Sequence, residues 1–390
     1  MSSHLAKIIF CTVGFISACG EVSVCDIRQK DCQNKTFYAV LAERDEPWDA
    51  WSQPPSIRVI STTEYENELL AQQTTDANTA NHWDTALKLL GFVKPEVDLD
   101  SATIETQVSS IIAYYSLKNK NVTIIDHGDT YNEYQAFISL AHELVHAIQD
   151  RYRELEIINT EKTADALFAR RSIIEGEAVL YSNLVGLHAK KQSFNDVDWN
   201  EYYSQMLSKA QSLVFESIHP LYFALYNLCY PLGGRFITDA YGFGGPPATK
   251  QLFTKFPSSA LAIMSGYHAD VPIYTMPCQA TTPNDYTQKG LDEFGPMGVF
   301  AILAIENNSI EQADELSRQW RGDRVSVFRN DDNVIVVWRI RFSSSAMAST
   351  FISRINTASA FLTESENNEV IIARATDINI LYNWNAIACE

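Results

Sequence analysis

The sequence lacks three features that would each indicate a different class of protein. No run of 18 or more apolar residues follows the N-terminus, so no bundle of membrane-spanning helices is predicted. Basic residues are scarce: 30 Lys and Arg against 48 Asp and Glu give a net charge of −18, which argues against nucleic-acid binding. Internal repeats and low-complexity tracts are also absent. The remaining possibility is a chain of 390 residues, 46% hydrophobic, with room for two or three globular domains.

Cysteines are few, and their spacing does not resemble that of zinc ligands. Of the seven, Cys11 and Cys19 lie in the N-terminal segment. Five cysteines remain, and since five is an odd number, at least one thiol is expected to be unpaired. Cys25 and Cys32 are close enough in sequence to form a disulfide, which export from the cytoplasm would permit.

The first 20 residues have the pattern of an export signal. Lys7 precedes a nine-residue apolar stretch at 8–16, which is too short to span a bilayer. The stretch ends in Ile-Ser-Ala-Cys at 16–19, which resembles the lipobox of bacterial lipoproteins. That resemblance implies a signal peptide at 1–18 and lipidation of Cys19. With Gly20 in the next position, it also implies an envelope protein on the outer membrane, held only by its lipid anchor. The alternative is an ordinary secreted protein cleaved after Ala18.

The rest of the chain is predicted to be α+β. Residues 19–55 carry many charges and a Pro pair without clear periodicity, so they are predicted to be a tether. A mainly helical domain is expected at 56–287, and a small α+β domain at 288–390. Helices are predicted at 64–72, 82–90, 104–115, 131–154, 160–190, 207–228 and 345–360. Strands are predicted at 121–126, 323–328, 334–342, 369–373 and 378–381.

The helix predicted at 131–154 contains His142-Glu143-Leu144-Val145-His146, which is the HExxH pattern. Two histidines four residues apart project from one face of a helix, so both imidazoles can reach one metal ion. Glu143 leans to the same side and can meet a water on the metal. The alternative is an incidental surface pattern. That alternative is weakened because the motif lies among apolar residues, where unpaired polar groups are costly. The sequence therefore predicts a Zn²⁺ site.

A catalytic zinc normally has three protein ligands, and Glu175 is the predicted third. It stands 29 positions after His146 in an apolar helical stretch. Gly176 beside it is unfavourable within a helix, which suggests that another backbone approaches closely there. Glu177 either supports the ligands or faces solvent. His188 and His219 are the competing ligands.

These motifs resemble the gluzincin metallopeptidases, in which two His and one Glu bind zinc. The sequences HELVHAIQD and IIEGEA look closest to those of uncharacterised bacterial secreted proteins that pair a HExxHAxQD helix with an EGxA helix. The resemblance extends over about residues 104–383. It implies a zincin-like fold with a short strand before the HExxH helix. The exopeptidase motif Gly-x-Met-Glu-Asn has no match upstream of the HExxH helix.

The resemblance implies a zinc-dependent peptidase that acts on peptides or proteins in the cell envelope. Glu143 would be the general base on a zinc-bound water. Tyr230, in a Tyr-x-x-Gly…Gly-Gly segment, would stabilise the oxyanion. Arg235 is a weaker candidate for binding a substrate carboxylate. The alternative is an inactive zinc-binding envelope lipoprotein that serves as a binding or structural module. An Arg-Gly-Asp tripeptide at 321–323 is too common a pattern to support an adhesive role.

Overall fold

The structure is a computed structural model that shows an α+β protein with two sheets and a mainly helical body. It describes residues 22–47, 50–51, 53–76, 81–94, 111–128, 132–153, 155–306, 308–331, 333–355, 361–364 and 368–383. The helices are α1 Lys30–Glu43, α2 Thr62–Asp76, α3 Asn81–Leu90, α4 Glu133–Arg153, α5 Ala164–Ala189, α6 Trp199–Glu216, α7 Pro220–Asn227, α8 Cys229–Leu252, α9 Ala260–Ser265, α10 Gly295–Ile305, α11 Ile310–Ser317, α12 Ser345–Arg354 and α13 Asn379–Asn383. The strands are β1 Ser56–Ser61, β2 Ala113–Ser116, β3 Asn121–Asp126, β4 Thr287–Asp292, β5 Trp320–Arg329, β6 Val334–Phe342, β7 Phe361–Glu364 and β8 Glu369–Ala375.

The N-terminal part of the predicted tether is folded, which corrects the prediction for residues 19–55. Helix α1 lies there, and its side chains Phe37 and Val40 are fully buried in the main core. The predicted disulfide between Cys25 and Cys32 is confirmed, and it links the segment before α1 to the first turn of α1. Helix α1 was not predicted because its amphipathic periodicity is weak, with polar side chains buried among the apolar ones.

The small sheet has the order β1-β3-β2, with β1 parallel and β2 antiparallel to β3. Strand β3 matches its predicted bounds because its run of β-branched residues is buried. Strand β2 corrects the helix predicted at 104–115: Tyr114 and Tyr115 pair with Thr123 and Val122 in the sheet. The earlier part of that prediction falls outside the described residues. Strand β2 thereby forms an edge of the sheet beside α4.

Helices α4 and α5 carry the predicted site, and both match their predictions closely. The Asn132 side chain accepts the amide hydrogens of Tyr134 and Gln135 at the start of α4. Thr163 caps α5. The helix predicted at 207–228 is instead two helices, α6 and α7, because the chain turns before Pro220.

The C-terminal sheet has the order β4-β5-β6-β8-β7, with antiparallel neighbours throughout. The strands predicted at 323–328 and 334–342 are confirmed as the antiparallel pair β5 and β6. The helix predicted at 345–360 is confirmed in part as α12, which ends at Arg354. The strand predicted at 378–381 is wrong, because residues 379–383 form α13. Helix α10 and the inner face of this sheet belong to the same apolar core as α4 and α5, so packing continues across residue 288.

Candidate metal centre

Three predicted ligands converge where α4 packs against α5. His142 and His146 stand one turn apart on α4, and their Nε2 atoms are 3.1 Å apart. The Oε2 atom of Glu175, on α5, lies 3.2 Å from the Nε2 of His142 and 3.3 Å from the Nε2 of His146. The side chains are 12–14% exposed, so the cluster is nearly closed to solvent.

The size of this triangle fits a tetrahedral zinc ion. Ligand atoms bound at 2.0–2.1 Å in a tetrahedron stand about 3.3 Å from each other. The three observed separations, 3.1 to 3.3 Å, are close to that edge length. The donor set, two imidazole nitrogens and one carboxylate oxygen, is also one that zinc accepts. His142, His146 and Glu175 could therefore hold Zn²⁺ with a fourth position left over.

Charge favours a cation in the same place. Burial opposes ionisation of Glu175, yet the His146 charge and hydrogen bonds from both imidazoles hold the pKa of Glu175 well below its usual range. Burial likewise opposes protonation of His146, but the Glu175 carboxylate raises the pKa of His146 to about 9. The cluster without metal thus retains a proton near neutral pH. A metal ion must displace that proton, so its affinity should increase with pH.

Close contact between two glycines explains how α5 and α8 share this site. A Cβ atom on Gly176 would lie 2.3 Å from the backbone carbon of Gly233, and one on Gly233 would lie 1.9 Å from the backbone oxygen of Ser172. Only glycine permits this approach. The close approach that Gly176 predicted is confirmed. The crossing brings Tyr230, one turn before Gly233, to the metal-ligand cluster.

Glu143 lies beside the cluster without belonging to the triangle. Glu143 contributes a carboxylate oxygen to a group of three possible ligand atoms. The other two come from His142 and His146, and all three atoms lie within 4.8 Å of one another. The backbone N–H of Tyr115, on the edge strand β2, donates to Oε2 of Glu143 at 2.7 Å. Burial raises the pKa of Glu143 despite the neighbouring imidazoles. A carboxylate with a raised pKa, fixed next to a metal site, has the properties of a general base.

Tyr230 faces the same space. Its ring centroid is 6.0 Å from that of His142. Burial, followed by the Glu175 charge, raises the pKa of Tyr230 well above its usual value, so the hydroxyl keeps its proton and can donate it in a hydrogen bond. A cavity of about 330 Å³ opens between Tyr230, His142 and Glu143. Its other walls combine apolar side chains, such as Ile138 and Met206, with polar ones, such as Asn183. A substrate group can therefore enter beside the cluster.

The competing ligands lie elsewhere. His188 is 61% exposed and pairs with Glu43, while the imidazole of His219 caps α7. Arg235 is exposed and does not line the cavity. Cys19 lies outside the described residues. A larger cavity of about 860 Å³ is lined by Tyr115 and by four charged residues, Lys120, Asp150, Arg151 and Glu156, of which Lys120 pairs with Asp150 and Glu156.

Several residues that support the cluster were missed by the sequence analysis. Arg171, one turn before Glu175, places its Nε 3.6 Å from Oε1 of Glu175. Gln149 contacts His146, and Arg44 forms an ion pair with Glu177. Helical spacing on α4 and α5 could have indicated Arg171 and Gln149. Nothing in the sequence indicated Arg44, which is distant along the chain.

Comparisons with known proteins bear only on the C-terminal region. Residues 284–378 match a family described as a domain of unknown function, DUF8575. The match covers less than half of the chain and excludes the residues of the metal centre. No curated protein and no solved structure matches the chain. Within the described residues, no helix combines the length and apolar character needed to cross a membrane.

Proposed function

We propose that the protein is a zinc-dependent peptidase. The observation that carries the proposal is the triangle of two His nitrogens and one Glu oxygen, which matches a tetrahedral zinc site and has a separate carboxylate and a cavity beside it. A structural zinc site usually has four protein ligands. Among the described residues this cluster supplies three, with Glu143 placed for chemistry instead.

The arrangement supports hydrolysis of a peptide bond. Zn²⁺ held by the three ligands would polarise the scissile carbonyl and acidify a water molecule. Glu143, oriented by the backbone N–H of Tyr115, takes a proton from the attacking water and later delivers it to the leaving amine. The Tyr230 hydroxyl donates a hydrogen bond to the oxyanion, an interaction typically worth about 3 kcal/mol in the transition state. The cavity accepts a side chain of the substrate.

The first test is the zinc content of the fragment 20–390, compared with its Glu175→Ala and Glu143→Gln variants. We expect about one zinc per chain in the wild type and in Glu143→Gln, and loss of zinc in Glu175→Ala. A fluorogenic peptide library then measures hydrolysis, which should require zinc and Glu143. Zinc binding without hydrolysis across the library would favour an inactive zinc-binding module. Hydrolysis that survives in Glu143→Gln would overturn the mechanism.

We further propose that Cys19 attaches the protein to the bacterial envelope. The support is the lipobox-like sequence, and the folded region begins by Val22, only three residues later. Replacing Cys19 with Ser should release the protein from the membrane fraction. Retention of the Cys19→Ser variant on membranes would contradict a lipid anchor.

A further inference from the structure

A continuous chain of buried polar groups leads from His146 to the N-terminal segment. The Nδ1 of His146 lies 2.8 Å from Oε1 of Gln149, which stands one turn later on α4. An amide oxygen is only an acceptor, so Nδ1 carries a proton, and in the neutral imidazole it is Nε2, beside Glu175, that has the lone pair. The Gln149 side chain therefore selects the tautomer of His146 that can bind a metal.

The orientation of the Gln149 amide is itself fixed. Its Nε2 donates to the backbone oxygen of Ile174 at 2.9 Å and to Oε2 of Glu177 at 2.9 Å. Rotating the amide would place its oxygen against these two acceptors and its NH₂ against His146. Because Gln149 is fully buried, no bulk water can compensate for that loss. Glu177 thus keeps the Gln149 oxygen aimed at the imidazole.

Glu177 needs a cation because its side chain is 0% exposed. The Nη1 of Arg44, 2% exposed, lies 2.6 Å from the same Oε2 atom that accepts from Gln149. The Arg44 guanidinium also lies over the ring of Tyr181, at 5.3 Å from its centroid. Removing one partner of a buried ion pair leaves an uncompensated charge, which a protein avoids by local rearrangement. The residue that completes this network comes directly after α1.

We propose that Arg44, Glu177 and Gln149 are positioning residues that prepare His146 for the metal. Arg44 neutralises Glu177, Glu177 orients the Gln149 amide, and Gln149 holds His146 in its metal-binding tautomer. The N-terminal segment at 22–47 is then part of the metal centre and not a spacer. This inference rests on zinc binding in the proposed function, but it does not depend on peptide hydrolysis.

The test compares Gln149→Leu and Arg44→Met with the wild type in fragment 20–390. Zinc affinity is measured by competition with a chelator, and ligand geometry by the visible absorption of the Co²⁺-substituted protein. We expect a 10–100-fold loss of zinc affinity in Gln149→Leu, a smaller loss in Arg44→Met, and an altered cobalt spectrum in both. In Arg44→Lys the charge is kept, so much of the affinity should return.

The matched control is Arg339→Met, which removes another buried arginine near a buried glutamate, Glu369, in the C-terminal sheet. It should lower stability without changing zinc affinity or the cobalt spectrum. If Arg44→Met does not fold, the double variant with Glu177→Gln removes the uncompensated charge of Glu177 and keeps an acceptor for Gln149. Glu46, the other acid beside Arg44, still pairs with Lys250. This double variant should bind zinc nearly as well as the wild type.

Two results would overturn the inference, and they differ in what they imply for the peptidase. Zinc affinities within twofold of the wild type, with unchanged cobalt spectra in Gln149→Leu and Arg44→Met, would remove the positioning role alone. A wild-type protein that binds no zinc would remove both proposals. Altered affinity and spectra in a protein that hydrolyses no peptide would support the inference while the peptidase proposal fails.

Discussion

Two largely buried acidic side chains, Asp323 and Glu175, are satisfied in different ways. Asp323, in the C-terminal sheet, is fully buried and accepts four N–H bonds, from the indoles of Trp320 and Trp338 and from the backbone of Phe294 and Gly295. At the candidate metal centre, by contrast, the Glu175 carboxylate faces two imidazole nitrogens across 3.2 and 3.3 Å. The Asp323 carboxylate is satisfied by fixed N–H donors within the protein, whereas Glu175 lies among the donor atoms of the proposed zinc site.

The largest effect on stability should come from an acid-to-amide change at Asp323. In Asp323→Asn the amide NH₂ meets N–H donors, so the free energy of unfolding should fall by about 3–4 kcal/mol. Urea denaturation measures the loss, and Asp331→Asn, at an exposed turn, is the control without effect. A loss below about 1 kcal/mol would show that Asp323 does not hold β5 to α10.

The next effect on stability tests the packing that brings α5 and α8 together at the candidate ligands. In Gly176→Ala the new Cβ would overlap the Gly233 backbone, so α5 and α8 must separate. We expect a loss of about 2–3 kcal/mol in the free energy of unfolding, together with weaker activity as Tyr230 moves. Gly242→Ala is the matched control on α8, because its Cβ would meet only Phe194 at an ordinary 3.8 Å. Equal stability of the two variants in thermal melts would contradict this packing argument.

A pH effect of intermediate size should come from Asp165, whose side chain adjoins Gly295. Burial, with the charges of Asp323 and Glu293 adding to it, raises the pKa of Asp165 to about 7. The folded state therefore holds a proton that the unfolded state, with a pKa near 4, has lost. The contribution of this proton to the free energy of unfolding is complete below about pH 4 and disappears as the pH rises through 7. Between pH 5.5 and 8 the free energy of unfolding should therefore decrease by about 2 kcal/mol.

The measurement is urea denaturation of the wild type and Asp165→Asn at several pH values. The carbonyl oxygen of the Asn side chain can still accept from the Ala260 amide, which donates to Asp165 at 2.9 Å. The variant should therefore lose the part of the decrease between pH 5.5 and 8 that comes from Asp165, while Asp323, whose pKa burial also raises to about 7, keeps its own part. The same decrease in both proteins would assign it to other groups.

The convergence of the candidate ligands was predictable in part, because helical periodicity places His142 and His146 on one face of α4. His142 and His146 are one turn apart, and Gly176 marked the crossing that the structure shows. Strand β2 was not predictable from its residues, because its extended conformation depends on pairing with β3 and not on the local preference of its residues for strand or helix. Arg44 was not predictable either, because its partner Glu177 is 133 positions away and only the folded chain brings them together.

The smallest effect on stability should come from the same acid-to-amide change at Glu143, beside the candidate ligands. In Glu143→Gln the side-chain oxygen can still accept from Tyr115, and a buried carboxylate whose pKa is raised is removed. The free energy of unfolding of the metal-free protein should stay within about 0.5 kcal/mol of the wild type or increase. Hydrolysis should nevertheless fall by about 10²–10⁴-fold or more. Similar losses of stability in Glu143→Gln and Asp323→Asn would mean that Glu143 is structural, since a group kept for chemistry contributes little to folding.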